Sequence, residues 1–107
     1  MNLSSKKCEP CEGIGSSLSK KEILENLKKL NNWELKGNKI EKSFSFKNFK
    51  SALEFVNKIG IIADQQGHHP DIFLSYGKAT ISWHTHSLKG LTINDFIMAS
   101  KTDEIQQ

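Results

Sequence analysis

Residues 67–86 read GHHPDIFLSYGKATISWHTH. Gly67 suits the left-handed position that closes a helix, and Pro70 drives His69 out of helical backbone into an extended one. Beyond the proline, Ile72, Leu74 and Tyr76 alternate as a strand, Gly77-Lys78 turns, and Ile81 and Trp83 alternate as the next strand. That period of two puts Thr80, Ser82, His84 and His86 together on the opposite face. The stretch is therefore a hairpin with an apolar face for a core and a face rich in hydroxyls and imidazoles.

Upstream, the period changes to 3.6. Phe49, Ala52, Leu53, Val56, Ile59 and Ala63, widened by Phe55 and Ile62, predict a long helix over 48–66 that covers a sheet. Gly60 inside it costs about 1 kcal/mol relative to Ala, which a close helix contact or an approach to a ligand would explain. Before that helix, Trp33 and Leu35, a Gly37-Asn38 turn, and Ile40, Phe44 and Phe46 predict a first hairpin, with Lys42 breaking the pattern at an edge or sheet margin. Ser19 and Glu22 form an S-x-x-E capping box that opens a helix over 20–31, with Ile23, Leu24, Leu27 and Leu30 as its apolar stripe. Downstream, Thr92 and Asp95 form a second box, opening a last helix whose Phe96, Ile97, Ser100 and Ile105 face the core. The order is α-β-β-α-β-β-α. An α+β two-layer sandwich, a four-stranded antiparallel sheet with helices packed on one face, satisfies every segment.

The 107 residues suffice for one compact domain. Residues 1–18 show no periodicity and read as a flexible N-terminal arm, leaving 19–107 as the single folded domain. No apolar run reaches the roughly 18 residues of a membrane span, and no apolar region follows the first charges as in a secretory signal, so the cytoplasm is the expected compartment. All 15 basic residues are Lys and the formal net charge is +3. Without the bidentate fork of Arg, and with the lysines interleaved among acids, sequence-specific nucleic-acid binding is not expected. Cys8 and Cys11 form a lone C-x-x-C in the arm, half of a thiolate zinc site or a redox pair, with no second pair to complete it.

The four histidines all lie between positions 68 and 86. Imidazole is the side chain that exchanges protons at neutral pH, and three readings of the cluster compete. His84-x-His86 on a strand with His68 is a zinc-like set, with Asp64, Asp71 or Asp95 as a further ligand or support. Alternatively, the histidines cap loops and fill polar niches. The third reading is metal-free general acid–base catalysis around a heterocycle that gains or loses water.

Asp64, His68-His69-Pro70, Tyr76, His86 and Asp95, in that order and on those elements, resemble the pterin-4a-carbinolamine dehydratase family. The resemblance runs from about residue 19 to 105 and takes in Trp33-Glu34-Leu35 and Phe44-Ser45-Phe46-Lys47-Asn48-Phe49. It implies a hydro-lyase that dehydrates 4a-hydroxytetrahydropterin to quinonoid dihydropterin in pterin recycling, with no cofactor and no metal. His68, His69, His86 and Asp95 then match the catalytic set, with His68 and His86 as acid and base and His69 positioning the substrate. Asp64, Gly67, Thr85 and Ser87 match positions around the pterin. Asp95 is also the third helical residue of its capping box, and in either role it would bring negative charge near His86. The chain departs from the family at Gly67, commonly Asp, and at His84 and Ser87, often Ser and Glu.

The resemblance further implies homodimers or homotetramers assembled through sheet edges and helices, and an aromatic amino acid hydroxylase as a pterin user in the same pathway. Two alternatives come from other classes. One is an oligomeric adaptor, since animal relatives serve as dimerisation cofactors for a transcription factor. The other is a small metalloprotein built on His68, His84 and His86.

Overall fold

The computed structural model describes residues 3–5, 8 and 17–105. Its elements are helix α1 (Lys20–Leu27), strands β1 (Glu34–Lys36) and β2 (Lys39–Ser45), helix α2 (Phe49–Gln66), strands β3 (Asp71–Ser75) and β4 (Lys78–Trp83), and helix α3 (Ile93–Asp103). The expected order and fold class are those observed. The four strands form one antiparallel sheet in the order β1-β2-β4-β3. Each hairpin supplies one edge strand and one central strand, and β2 and β4 pair in the middle.

Register separates the two faces. Ile40 pairs with Trp83, Phe44 with Ala79, Ile72 with Ile81 and Leu74 with Ala79, so these apolar side chains share the helix-covered face. Ile40, Ala79, Ile81 and Trp83 are fully buried there against Phe55, Ile59 and Ala63 of α2 and Phe96, Ile97 and Met98 of α3. The other face is polar. Ser43 Oγ lies 2.9 Å from Thr80 Oγ1, and Ser82 Oγ donates to Glu41 Oε2 at 2.8 Å. Phe73, paired with Thr80, is the apolar exception on that face and stands 64% exposed. Among the described residues, no helix is long and apolar enough to cross a membrane.

Lys42 lies in β2, a central strand, paired with Ile81 and pointing to the core side, and so is not at an edge. The position is tolerable because its ammonium reaches past the apolar layer. Nζ passes 5.0 Å from the Phe44 ring centroid and bonds Asp103 Oδ1 at 2.8 Å. Trp33 Nε1 donates to the other carboxylate oxygen at 3.0 Å, so Asp103 ties the end of α3 to the first hairpin.

The helices depart from the expected pattern in three ways. The Ser19–Glu22 capping box is present, with Ser19 N–H donating to Glu22 Oε1 at 2.9 Å and Glu22 N–H to Ser19 Oγ at 3.2 Å. Hydrogen bonds from the Ser19 backbone and side chain hold the Glu22 carboxyl below its ordinary pKa. Yet α1 ends at Leu27 instead of 31, followed by turns to Asn32 at φ 65°. Second, α2 is rolled about its axis, burying Ala52, Phe55, Ile59 and Ala63 and leaving Phe49 and Leu53 exposed. A Cβ at Gly60 would meet nothing within 4 Å among the described residues, so no contact with them accounts for that glycine. Third, α3 is buried on nearly every side. The reason lies in the arm: Leu3–Ser5 forms a 3-10 turn on α3 with Leu3 buried, and Cys8 N–H donates to Gln66 Oε1 at 2.9 Å. These described residues of the expected flexible segment are packed on the body, whereas Cys11 lies outside the described residues.

Removing Asp103 leaves two buried-side donors without their anionic acceptor. Asp103→Ala is expected to lower stability by about 1.5–3 kcal/mol in thermal unfolding, against less than about 0.5 kcal/mol for exposed Leu24→Ala.

Candidate active site

The α2 helix ends where the sequence requires it: Gly67 adopts φ 67°, ψ 26°, and its N–H returns to the carbonyls of Ala63 and Asp64. The chain then turns beneath the sheet and presents His68 against Trp83, the rings nearly parallel at 10° with centroids 5.8 Å apart. His68 is buried, and its Nε2 lies 2.6 Å from Asp95 Oδ1. Asp95 is completely buried, and its second oxygen accepts from Thr85 Oγ1 and from the Thr92 backbone N–H, each at 2.9 Å. Three donors therefore surround one carboxylate, as burial of a charged group demands. Thr85 is fixed in turn by a reciprocal backbone bridge to Gly90 and by its hydroxyl, 2.9 Å from that of Thr92.

Asp95 accepts the Thr92 amide at the start of α3, as its capping box requires, and also holds an imidazole. The imidazole, however, is His68 and not His86. With Nε2 engaged by the carboxylate, the neutral ring carries its proton there and its Nδ1 lone pair is the group that can meet a ligand.

His84 and His86 lie beyond the end of β4 at Trp83 instead of on the strand. Thr85 is the isolated bridge residue, and His86 opens a 3-10 turn, His86–Leu88. The shortening leaves the two rings in contact, with centroids 4.0 Å apart at 58°. Asp71 Oδ2 lies 3.1 Å from His84 Nε2. His69 points outward, paired through Nε2 with Asp64 Oδ1 at 2.8 Å, both side chains largely exposed.

Gly67, His68, His69, His84, Thr85, His86 and Ser87 line one cleft of about 230 Å³. Of the expected site residues, Asp95 stands behind its wall, bonded to His68, and Asp64 stands beside it, bonded to His69. A larger cleft of about 620 Å³, lined by Ser45, Phe46, Lys47, Ser51, Glu54, Phe55 and Lys58, lacks imidazoles. Of these two clefts, the histidine-lined one has the convergent imidazoles suited to proton transfer. The sequence offers Asp71 only as one of three acids that could support a metal; its pairing with His84 follows from the β3–β4 register, which sets Asp71 opposite Ser82.

An α+β sandwich with a histidine-lined cleft at the end of its sheet is the class that fold and site define. A model of the family described as Pterin 4 alpha carbinolamine dehydratase matches residues 16–105. The chain belongs to that family. It is 46% identical over 105 residues to the "Putative pterin-4-alpha-carbinolamine dehydratase" of Azoarcus sp. (strain BH72), covering 96% of this chain and 90% of that protein. A protein of the same name from Chlorobaculum tepidum is 40% identical over 107 residues, covering 96% of each. Among solved structures, the "transcriptional coactivator/pterin dehydratase from Brucella Melitensis" superposes with a TM-score of 0.78 at 33% identity, covering 82% of this chain and 96% of that one.

Loss of the buried carboxylate removes the acceptor of three donors at once. Asp95→Ala is expected to destabilise the fold by about 3–5 kcal/mol, and Thr85→Val by about 1.5–3 kcal/mol, in urea unfolding.

Proposed function

We propose that this protein is a hydro-lyase that dehydrates 4a-hydroxytetrahydropterin to quinonoid dihydropterin. The observation that carries the reading is the buried His68–Asp95 pair in a cleft also lined by His86. Family membership supplies the substrate class.

The reaction breaks the C4a–O bond, transfers the N5 proton to a base and makes the C4a=N5 double bond, with water as the other product. No electrons leave the substrate. His68 is the base: Asp95 fixes its tautomer, directs Nδ1 to the substrate and stabilises the imidazolium that forms, as a buried carboxylate does for histidine in other acid–base sites. His86 is the acid that protonates the departing hydroxyl, and its exposure lets solvent restore the proton. His69, braced by Asp64, positions the pterin at the cleft mouth. Gly67, Thr85 and Ser87 border the substrate; Gly67 leaves room without offering a side-chain partner, and the Thr85 hydroxyl is committed to Asp95.

A second copy of the chain belongs to the same reading. Among the described residues, the edge strand β3 offers an unpaired row of backbone groups beside exposed Ile72, Phe73 and Tyr76, with neither Lys nor Pro within it to deter pairing. The outward Phe49, Leu53 and Gly60 of α2 form a further apolar stripe. Homodimers or homotetramers that use these surfaces would cover both. A cytoplasmic setting with a hydroxylase consuming the recycled pterin completes the proposal.

With synthetic 4a-hydroxytetrahydropterin, His68→Ala and His86→Ala are each expected to lower kcat about 100- to 10,000-fold, and His69→Ala to raise KM more than it lowers kcat. Equal rates for wild type and His68→Ala would remove the assignment. In sedimentation, Phe73→Lys is expected to shift the protein toward monomer.

A further inference from the structure

Asp71, His84 and His86 each offer one ligand atom, and the three atoms lie within 4.8 Å of one another. We propose that they form a site for a divalent transition ion of the Zn²⁺ class, set at the rim of the histidine cleft. The set differs from the one expected from sequence, because His68 is committed to Asp95 and Asp71 takes its place.

The fold places these ligands without strain. Asp71 opens β3 opposite Ser82 of β4, and His84, two residues beyond Ser82, returns to the same face. Its Nε2 is 3.1 Å from Asp71 Oδ2, close to the roughly 3.3 Å edge of a tetrahedron whose ligands sit about 2.0–2.2 Å from zinc. The third ligand, His86, already touches His84 ring to ring, so rotation of an exposed side chain completes the triad. Two borderline imidazole nitrogens beside one carboxylate oxygen suit zinc rather than magnesium or calcium, which prefer all-oxygen shells. Three protein ligands leave the fourth position open to water or another small ligand.

The binding claim is independent of the dehydratase reading, while its consequence rests on that reading. An ion on His86 occupies the nitrogen lone pair that proton transfer needs, so zinc acts as an inhibitor at this site.

Calorimetric titration of tag-free protein with Zn²⁺ alone, in the absence of pterin, tests the site. One equivalent is expected to bind wild type, and His84→Ala and Asp71→Asn are each expected to weaken binding at least about tenfold. Asp71 is exposed, so its variant guards against misfolding of the first. A Cys8→Ser/Cys11→Ser variant is expected to bind as wild type does. No stoichiometric binding by wild type, unchanged affinity in both site variants, or loss of binding in the cysteine variant would overturn the proposal. Zinc that binds as expected but leaves dehydration unaffected supports the site and counts against His86 as the acid.

Discussion

The hydrogen bond between His68 Nε2 and Asp95 Oδ1, 2.6 Å long, is the constraint on which the rest of the structure depends. It joins the end of α2 to the start of α3 against the buried indole of Trp83. A carboxylate without solvent contact is tolerable only when its oxygens are filled by donors, and here an imidazole, a hydroxyl and a backbone amide fill them. The same bonds that satisfy the carboxylate decide which nitrogen of His68 faces the cleft. Helix capping and imidazole orientation are therefore one device, and in the proposed reaction Asp95 serves both through the same bonds.

Around that pair, the sheet divides labour between its faces. The covered side packs Ile40, Phe44, Ile81 and Trp83 under two helices, with Lys42 extending through the layer to Asp103. The open side carries hydroxyls and charged residues and delivers Asp71 and His84 to the cleft rim. The 3-10 turn at Leu3–Ser5 covers α3 from outside, so a helix with Asn94, Asp95 and Thr102 buried among its apolar residues is enclosed on two sides.

Much of this was legible in the sequence because periodicity reports faces. Alternation in 71–83 located the hairpin and its polar side, and the 3.6 period located α2. Periodicity does not report rotation: a stripe containing both Phe49 and Phe55 is wide enough for either margin to face out, and packing against β3 and β4 chose Phe55 as the buried side. Lys42 was misplaced because a lysine's long stem can cross an apolar layer, which a binary pattern cannot express. The candidate site was legible as residue types in order, His68, His69, His86 and Asp95, while their pairings were not. Asp95 was expected beside His86, yet the end of β4 at Trp83 and the bridge from Thr85 to Gly90 turn His86 away and bring His68 to the carboxylate. Such partners are set by long-range register and by where a strand stops, which local spacing does not encode.

In the proposed reaction, Asp95 aims Nδ1 of His68 at the reacting edge of a pterin. A crystal structure with a dihydropterin bound tests it most directly. The pteridine ring is expected in the cleft of Gly67, His68, His86 and Ser87, with its N5 at hydrogen-bond distance, about 3 Å, from His68 Nδ1 and the Asp95 bond intact. A pterin seated elsewhere, or one whose N5 faces His69 while His68 stays closed to it, would rule out His68 as the base.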